Sequence, residues 1–242
     1  MENQQNNLDS VMVMVENLKK QYGHKVALHI PGLLIKKGEG FGLVGNNGAG
    51  KTTFFRMLLD LIKPTTGQVK MKGEPVNGRD AWKTFTGSYL DEGFLIGFLT
   101  PDEYFEFVGG LYHISRAELQ ERLQRFEEIF NGEILGKRKY IRDLSKGNQK
   151  KVGIAAALMI EPEVAVLDEP FANLDPTTQI RLKELLNREQ RERGTTLLVS
   201  SHDLNHVTDV CERIVVLKQG EMVQDIATST ETLKQLEEFF AA

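Results

Sequence analysis

Cys211 is the only cysteine in the chain. A lone thiol cannot close an internal disulfide, and no Cys/His cluster has the spacing of a structural zinc site. Long apolar runs are also missing: the longest, such as 154–160, fall far short of the roughly 20 residues a membrane-crossing helix needs. No helical span is therefore expected. The opening "MENQQNNLDS" lacks both the basic start and the apolar centre of a secretory signal, so residues 1–10 are expected to be a disordered lead-in to a cytoplasmic protein. Basic charge is not in excess. The net charge of -4 and pI near 5.8 weigh against nucleic acid as the main ligand, while leaving room for a local basic patch. Neither repeats nor low-complexity runs occur. What remains, 40% hydrophobic and 26% charged residues, is the composition of a globular protein with core enough for one large domain or two small ones.

From Val11 to Gly45, "MVMVENL", the break "YGHK" and "LLIKKGEGFGLVG" predict an antiparallel edge feeding a buried strand. After Lys51, "TTFFRMLLDLI" has helical apolar spacing and stops before Pro64, and "GQVKMKG" reads as a strand pair. Residues from about 93 to 160 change character. Thr100 to Glu103 form a capping box with proline at the first helical position, and Ser115 to Glu118 form a second. A helical subdomain inserted into an α/β core is expected there, leaving the core at about 11–92 and 161–242 of a single domain. The α/β pattern resumes with "EVAVLDEP", a helix from Pro176 to Arg193 stopped by Gly194, the strand "TTLLVSS" and a helix through "NHVTDVCER". A hairpin turning at Gln219-Gly220 follows, and Thr228 with Glu231 caps a last helix. Strands alternating with helices imply a mostly parallel sheet.

Three stretches carry chemistry. "GNNGAGKTT" supplies Gly45, Asn46, Asn47, Gly48, Ala49, Gly50, Lys51, Thr52 and Thr53 between a predicted strand and a helix, the context a phosphate loop requires. Small residues at 48–50 let backbone amides converge on phosphate oxygens, and the helix N-terminus beyond them favours negative charge. Lys51 would reach the β- and γ-phosphates and the Thr52 hydroxyl would ligate Mg²⁺. "VAVLDEP" ends a buried strand with Asp168, suited to hold Mg²⁺ through water, and Glu169, suited to orient or deprotonate the attacking water. A charged turn after a strand is the plainer reading of such a pair. "LLVSSHD" places His202 at another strand end, where it could sense a γ-phosphate; a histidine in a turn is otherwise structural or solvated. "LSKGNQKK" (144–151) is open to three readings: a solvated basic face, an ordinary helix start, or an anion site at a helix N-terminus.

In order, the phosphate loop, "LSKGN", "VAVLDE", "ANLD" and "SSH" make the chain resemble the ATP-binding subunit of an ABC transporter along nearly its whole length. That resemblance implies a RecA-like P-loop NTPase core with an antiparallel β edge and an inserted helical subdomain. ATP and Mg²⁺ would be its ligands. It implies a head-to-tail homodimer in which Ser145, the Gly147 backbone, Lys146 and the neighbouring Asn148 close on the γ-phosphate held by the second copy. Tyr22 resembles the aromatic that stacks on adenine, packing being its plainer role. Asp175 resembles the residue coupling the paired sites, while serving locally as an N-cap. Glu92 stands where the family commonly has a glutamine that contacts Mg²⁺ and senses the membrane partner, and it adds a negative charge there. The variant signature Leu144 to Asn148 and the segment "FLTPDEYFEFVGGLY" are similar to single-domain export ATPases whose permease is a separate chain. The expectation is thus an ATPase peripheral on the cytoplasmic face of a membrane, powering a transmembrane permease, with no direct nucleic-acid contact. One or two of Phe94, Phe98, Tyr104, Phe105, Phe107 and Tyr112 would line a groove for a short permease helix, the rest being core. A soluble ABC ATPase of cofactor assembly is the alternative. A mechanical ATPase acting on nucleic acid or ribosomes usually joins two such domains or carries a coiled coil, and neither is seen.

Overall fold

The computed structural model describes residues 10–241; residues 1–9 of the expected lead-in lie outside the described residues. Strand β1 (Val11–Tyr22) turns through Gly23 and His24 into β2 (Lys25–Lys36), pairing antiparallel along most of its length. β3 (Gly40–Val44) and helix α1 (Lys51–Leu58) follow, then β4 (Thr66–Met71) and β5 (Glu74–Pro75). β4 returns to lie antiparallel on β1. β6 (Thr86–Tyr89) leads into α2 (Pro101–Leu111), α3 (Arg116–Gln124), α4 (Glu127–Phe130) and α5 (Lys146–Met159). The chain then alternates through β7 (Val164–Leu167), α6 (Pro176–Arg193), β8 (Thr196–Ser201) and α7 (Leu204–Val210), and ends in β9 (Arg213–Lys218), β10 (Glu221–Ala227) and α8 (Thr232–Ala241).

One sheet runs in the order β5-β4-β1-β2-β10-β9-β3-β8-β7-β6. The block from β9 to β6 is parallel throughout. Its strands are buried on both faces, which is why they read as continuous apolar runs and not as alternating ones. The period of two then divides each strand between two cores. Phe41, Leu43, Val164, Val166, Leu198, Val215 and Leu217 face α1 and the antiparallel edge. Val44, Ala165, Leu167, Leu197, Val199, Ile214 and Val216 face the opposite layer. That second core is continuous with the interior of the inserted helices, where Phe105, Phe126 and Phe130 stack with ring centroids 5.9 Å apart. α5 joins the two, buried along nearly its whole length and laid on β6. Each fully buried Phe or Leu is worth about 1.5–3 kcal/mol of transfer free energy, so the inserted helices and the sheet stabilise one another through shared apolar contact.

Local signals explain most boundaries. Thr100 and Glu103 complete their capping box and Pro101 starts α2. α6 begins after Asp175 and stops at Gly194 in the left-handed conformation. The β9–β10 turn uses Gln219 and Gly220 at φ 54° and 83°. Three expectations need correction. Ser115 accepts from the Glu118 amide, but the Glu118 carboxylate turns to Arg122 at 2.6 Å, so only half of that box forms. The helix expected through Arg213 ends at Val210, because the Glu212 amide is taken by the Gly40 carbonyl at 2.7 Å and the chain enters β9. Thr228 does not cap the last helix; its hydroxyl donates to the Cys211 carbonyl at 2.7 Å, and Ser229 accepts from the Glu231 amide instead.

Candidate active site

The parallel register sets Val44 beside Ser201 and Leu167 beside Val199, so the loops leaving β3, β7 and β8 emerge together at the strand carboxyl ends, where open α/β sheets bind ligands. The chain leaves β3 through 45–50 and enters α1 with no side-chain cap. The first-turn amides are thus left for an anion, with the positive helix end behind them. Gly50 sits at φ 112°, and a Cβ there would lie 2.9 Å from Leu28 Cδ1 and 3.0 Å from the Ala27 carbonyl oxygen. Gly48, at φ 81°, faces open space. A cleft of about 600 Å³ opens here, bounded by Asn47, Gly48, Lys51, Thr52 and Thr53 on one side and Glu169 on another.

Asp168 follows β7 and is 4% exposed. Thr52 Oγ1 donates to its Oδ2 at 2.6 Å, and the Ser200 hydroxyl donates to its Oδ1. Burial raises the Asp168 carboxyl above its ordinary range; the hydrogen bonds from Ser200 and Thr52 oppose that, and the Glu169 charge adds to it. Glu169 adopts φ 48°, a left-handed conformation costing a non-glycine residue about 1–2 kcal/mol. The turn throws its carboxylate across the cleft. Its Oε2 lies 2.8 Å from His202 Nδ1. Its Oε1 is buried without a hydrogen-bond partner and faces Lys51 Nζ at 3.2 Å. Lys51 also donates to the Gly45 carbonyl at 2.6 Å. Lys51, Thr52, Asp168, Glu169 and His202 therefore meet in one cluster.

The other residues singled out in the sequence stand elsewhere. Tyr22, 56% exposed, ends β1 under the Lys20 ammonium, 5.0 Å from its ring. It does not bound the cleft; its hairpin partner Lys25 does, with Val26, Ala27 and Gln219. Asn46 opens into a smaller hollow against Phe239 and Phe240. Glu92 accepts from the Tyr89 hydroxyl at 2.8 Å and lies 4.0 Å from Lys146; among the described residues no group of three or more acidic, His or Cys side chains is disposed to hold a metal. Ser145 accepts from the Asn148 amide at 3.2 Å and caps α5, bordering a separate hollow with Asn148 and Lys137 to Lys139. Gly147 packs under the loop before α6: a Cβ there would lie 3.0 Å from the Asn173 carbonyl oxygen. Asp175 caps α6 through Thr178, whose hydrogen bonds hold its carboxyl below the usual range. Sequence reasoning missed Ser200, which its place in "VSSH" could have suggested, and Lys25, which the short "YGHK" turn sets opposite Tyr22.

A phosphate loop after β3 in the parallel block, with carboxylates at the end of β7 one strand removed across β8, defines a P-loop ATPase. Residues 28–172 match the family model described as "ABC transporter". An uncharacterized ABC transporter ATP-binding protein of Synechocystis is 35% identical over 79% of this chain and 54% of its own length. The bacitracin transport ATP-binding protein BcrA of Enterococcus faecalis is 34% identical over 90% of this chain and 70% of its own. Among solved structures, an ATP-binding cassette seen as a dimer in a post-hydrolysis state with ADP and Pi superimposes with a TM-score of 0.79, at 29% identity over 90% of this chain and 99% of that one. The chain belongs to the ABC transporter family, as an ATP-binding ATPase domain. It spans about half the length of the Synechocystis relative, and no helix among the described residues is long and apolar enough to cross a membrane.

Proposed function

We propose that this chain hydrolyses Mg-ATP between two copies of itself and drives a separate transmembrane permease, as an exporter, from the cytoplasmic face of the membrane. Thr52 and Asp168 fit Mg²⁺: a hydroxyl and a carboxylate are hard oxygen donors, and Mg²⁺ draws the rest of its shell from phosphates and water. Bound there, the ion would neutralise charge on the β- and γ-phosphates. Lys51 and the amides of the loop and first turn other than that of Ala49, which is taken by the Asn46 carbonyl, would hold the phosphates. Glu169 accepts the proton of the water that attacks the γ-phosphorus as the bond to the bridging oxygen breaks, and His202 on its Oε2 fixes the carboxylate's direction. Lys25, which bounds the cleft, would reach the nucleoside, with its hairpin partner Tyr22 just outside it.

The observation that carries the dimer is the division of the site. Ser145 and Asn148, at the N-terminus of α5 with Gly147, border a hollow that shares no residue with the chain's own phosphate cleft, which suits binding the γ-phosphate of a partner, with Asp175 as the residue coupling the paired sites. The dimeric cassette of the same fold supports this reading. The permease is supported by a groove of about 240 Å³ between β6 and α2, bordered by Trp82, Phe94, Leu95, Tyr104 and Tyr112; Phe94 is 53% exposed. Such a groove fits the apolar face of a short helix. The inserted region, residues 93–160, would act as the moving lobe. Export follows the bacitracin-transport relative and the variant signature.

Mixing two inactive variants tests the arrangement. Glu169→Gln and Ser145→Arg should each abolish turnover alone. In a mixed sandwich both lesions fall in one composite site and the other is whole, so activity should partly return on mixing. No recovery, together with a specific activity that stays constant on dilution to the monomer, refutes the shared site.

A further inference from the structure

Lys150 lies in the second turn of α5 and is 4% exposed. Its ammonium donates to the backbone carbonyl of Glu169 at 2.7 Å and stands 5.7 Å from the centre of the Tyr89 ring. A buried ammonium is retained only where its surroundings compensate it. Burial pushes the Lys150 ammonium below its ordinary range, and the charges of Glu92, Glu169 and Asp168 pull it back up. The lysine thus balances the acidic side of the site while spending its directed hydrogen bond on backbone.

The residue it grips is the one with the least ordinary backbone in the site. Glu169 holds φ 48°, and such a conformation persists only where the surroundings over-determine it. Here both its main-chain polar groups are taken: the amide donates to Ser200 Oγ at 2.9 Å, and the carbonyl accepts from Lys150 at 2.7 Å and from the Ala172 amide at a longer 3.3 Å. We infer that Lys150 is a positioning residue for hydrolysis, fixing the left-handed turn that aims the Glu169 carboxylate between Lys51 and His202. The helix bearing it starts at Ser145. Along one rigid element, then, the turn that faces the partner's nucleotide is joined to the base of the chain's own site. The same helix faces the proposed permease groove, where a Cβ on Gly153 would lie 2.3 Å from Tyr89 Cδ2. This inference rests on the reading of Glu169 as the base.

Lys150→Met keeps the bulk and removes the donor. It should lower kcat roughly 10- to 100-fold, the scale of misplacing a reacting group by about an ångström, with KM for ATP and the melting temperature unchanged. In a Glu169→Gln background the same substitution should do nothing further to the residual single-turnover rate. An unchanged kcat, an equal loss in both backgrounds, or a joint fall of ATP affinity and melting temperature would each overturn the proposal. Should the methionine variant not fold, Lys150→Leu, which also lacks the donor, runs the same cycle; failure of both to fold makes the lysine structural and overturns it too. Near-normal turnover in Glu169→Gln alone would instead defeat the reading of the base, and this proposal with it.

Discussion

Replacing Arg125 with methionine removes one guanidinium from a charge cluster where α3, the end of α5 and α6 meet. Arg125 NH2 donates to the Leu158 carbonyl at 2.6 Å and Arg122 NH1 to the Met159 carbonyl at 3.0 Å, closing the C-terminus of α5. Arg125 NH1 also lies 3.2 Å from Glu161 and 3.5 Å from Glu189, which is 2% exposed. Removing one partner of a buried ion pair costs about 3–5 kcal/mol, because the other charge stays behind uncompensated. Arg193 Nε remains 3.7 Å from Glu189, which places the expectation near the lower end, about 3 kcal/mol. At roughly 2–4 °C per kcal/mol for a chain of this size, the melting temperature should fall by about 6–12 °C. The deficit should also depend on pH. Burial lifts the Glu189 carboxyl above its ordinary range, so the stability it contributes is fully present below the unfolded pKa and is lost as pH rises through the folded one. Without Arg125 the folded value rises further, so the gap from the parent chain should widen from acid toward neutral pH. Urea and thermal denaturation of Arg125→Met, Glu189→Gln and the double variant measure this; the double should be less destabilised than the sum. A single-variant shift under about 2 °C, or strict additivity, refutes the reasoning.

Asp168→Asn should separate stability from catalysis. Burial raises the Asp168 carboxyl from 3.8, so its favourable contribution is present below that value and lost as pH climbs through the folded pKa; at neutral pH the variant should melt no lower than the parent. The extra stability conferred by Mg-nucleotide, about 2.7 kcal/mol at a hundredfold excess over Kd, should vanish, as calorimetry with and without Mg-ATP would record. Phe94→Asp, at an exposed position, should change stability by no more than about 0.5 kcal/mol and leave basal ATPase intact while abolishing recovery with detergent-solubilised membranes. Phe105→Ala, fully buried, should cost about 3–5 kcal/mol; similar denaturation curves for the two would contradict the division between groove and core.

Elements with local punctuation were legible. The phosphate loop, the capped start of α2, the span of α6 and the final hairpin each carry their own turn or cap residues, and the structure follows them. What escaped depends on neighbours distant in sequence. Glu212 leaves the helix because Gly40 claims its amide, and Thr228 leaves its cap because Cys211 offers a carbonyl. The expected helical subdomain has no separate interior, since the apolar spacing of α5 cannot say that its other neighbours are β6 and β7. In the site, a lysine in a basic run reads as solvated, and only the packing of α5 against the Glu169 turn buries Lys150. Among the aromatics, Phe105 is core, whereas Phe94, Phe98 and Phe107 are exposed, a division that spacing alone did not give.

The place of β3 has a bearing on synthesis. The strand that delivers the phosphate loop is flanked by β8 and β9, so a ribosome releases residues 40–44 long before either neighbour up to Lys218 exists. Until then the nascent chain carries an apolar strand with two open edges, the kind of surface that invites aggregation and chaperones. Nucleotide cannot assist early, since the loop has no backing sheet and Glu169 no Ser200 to hold its amide. Such long-range pairing also slows folding. Truncated chains ending before β9 should therefore be captured by chaperones and fail to retain ATP, and retention should begin abruptly once Lys218 has emerged.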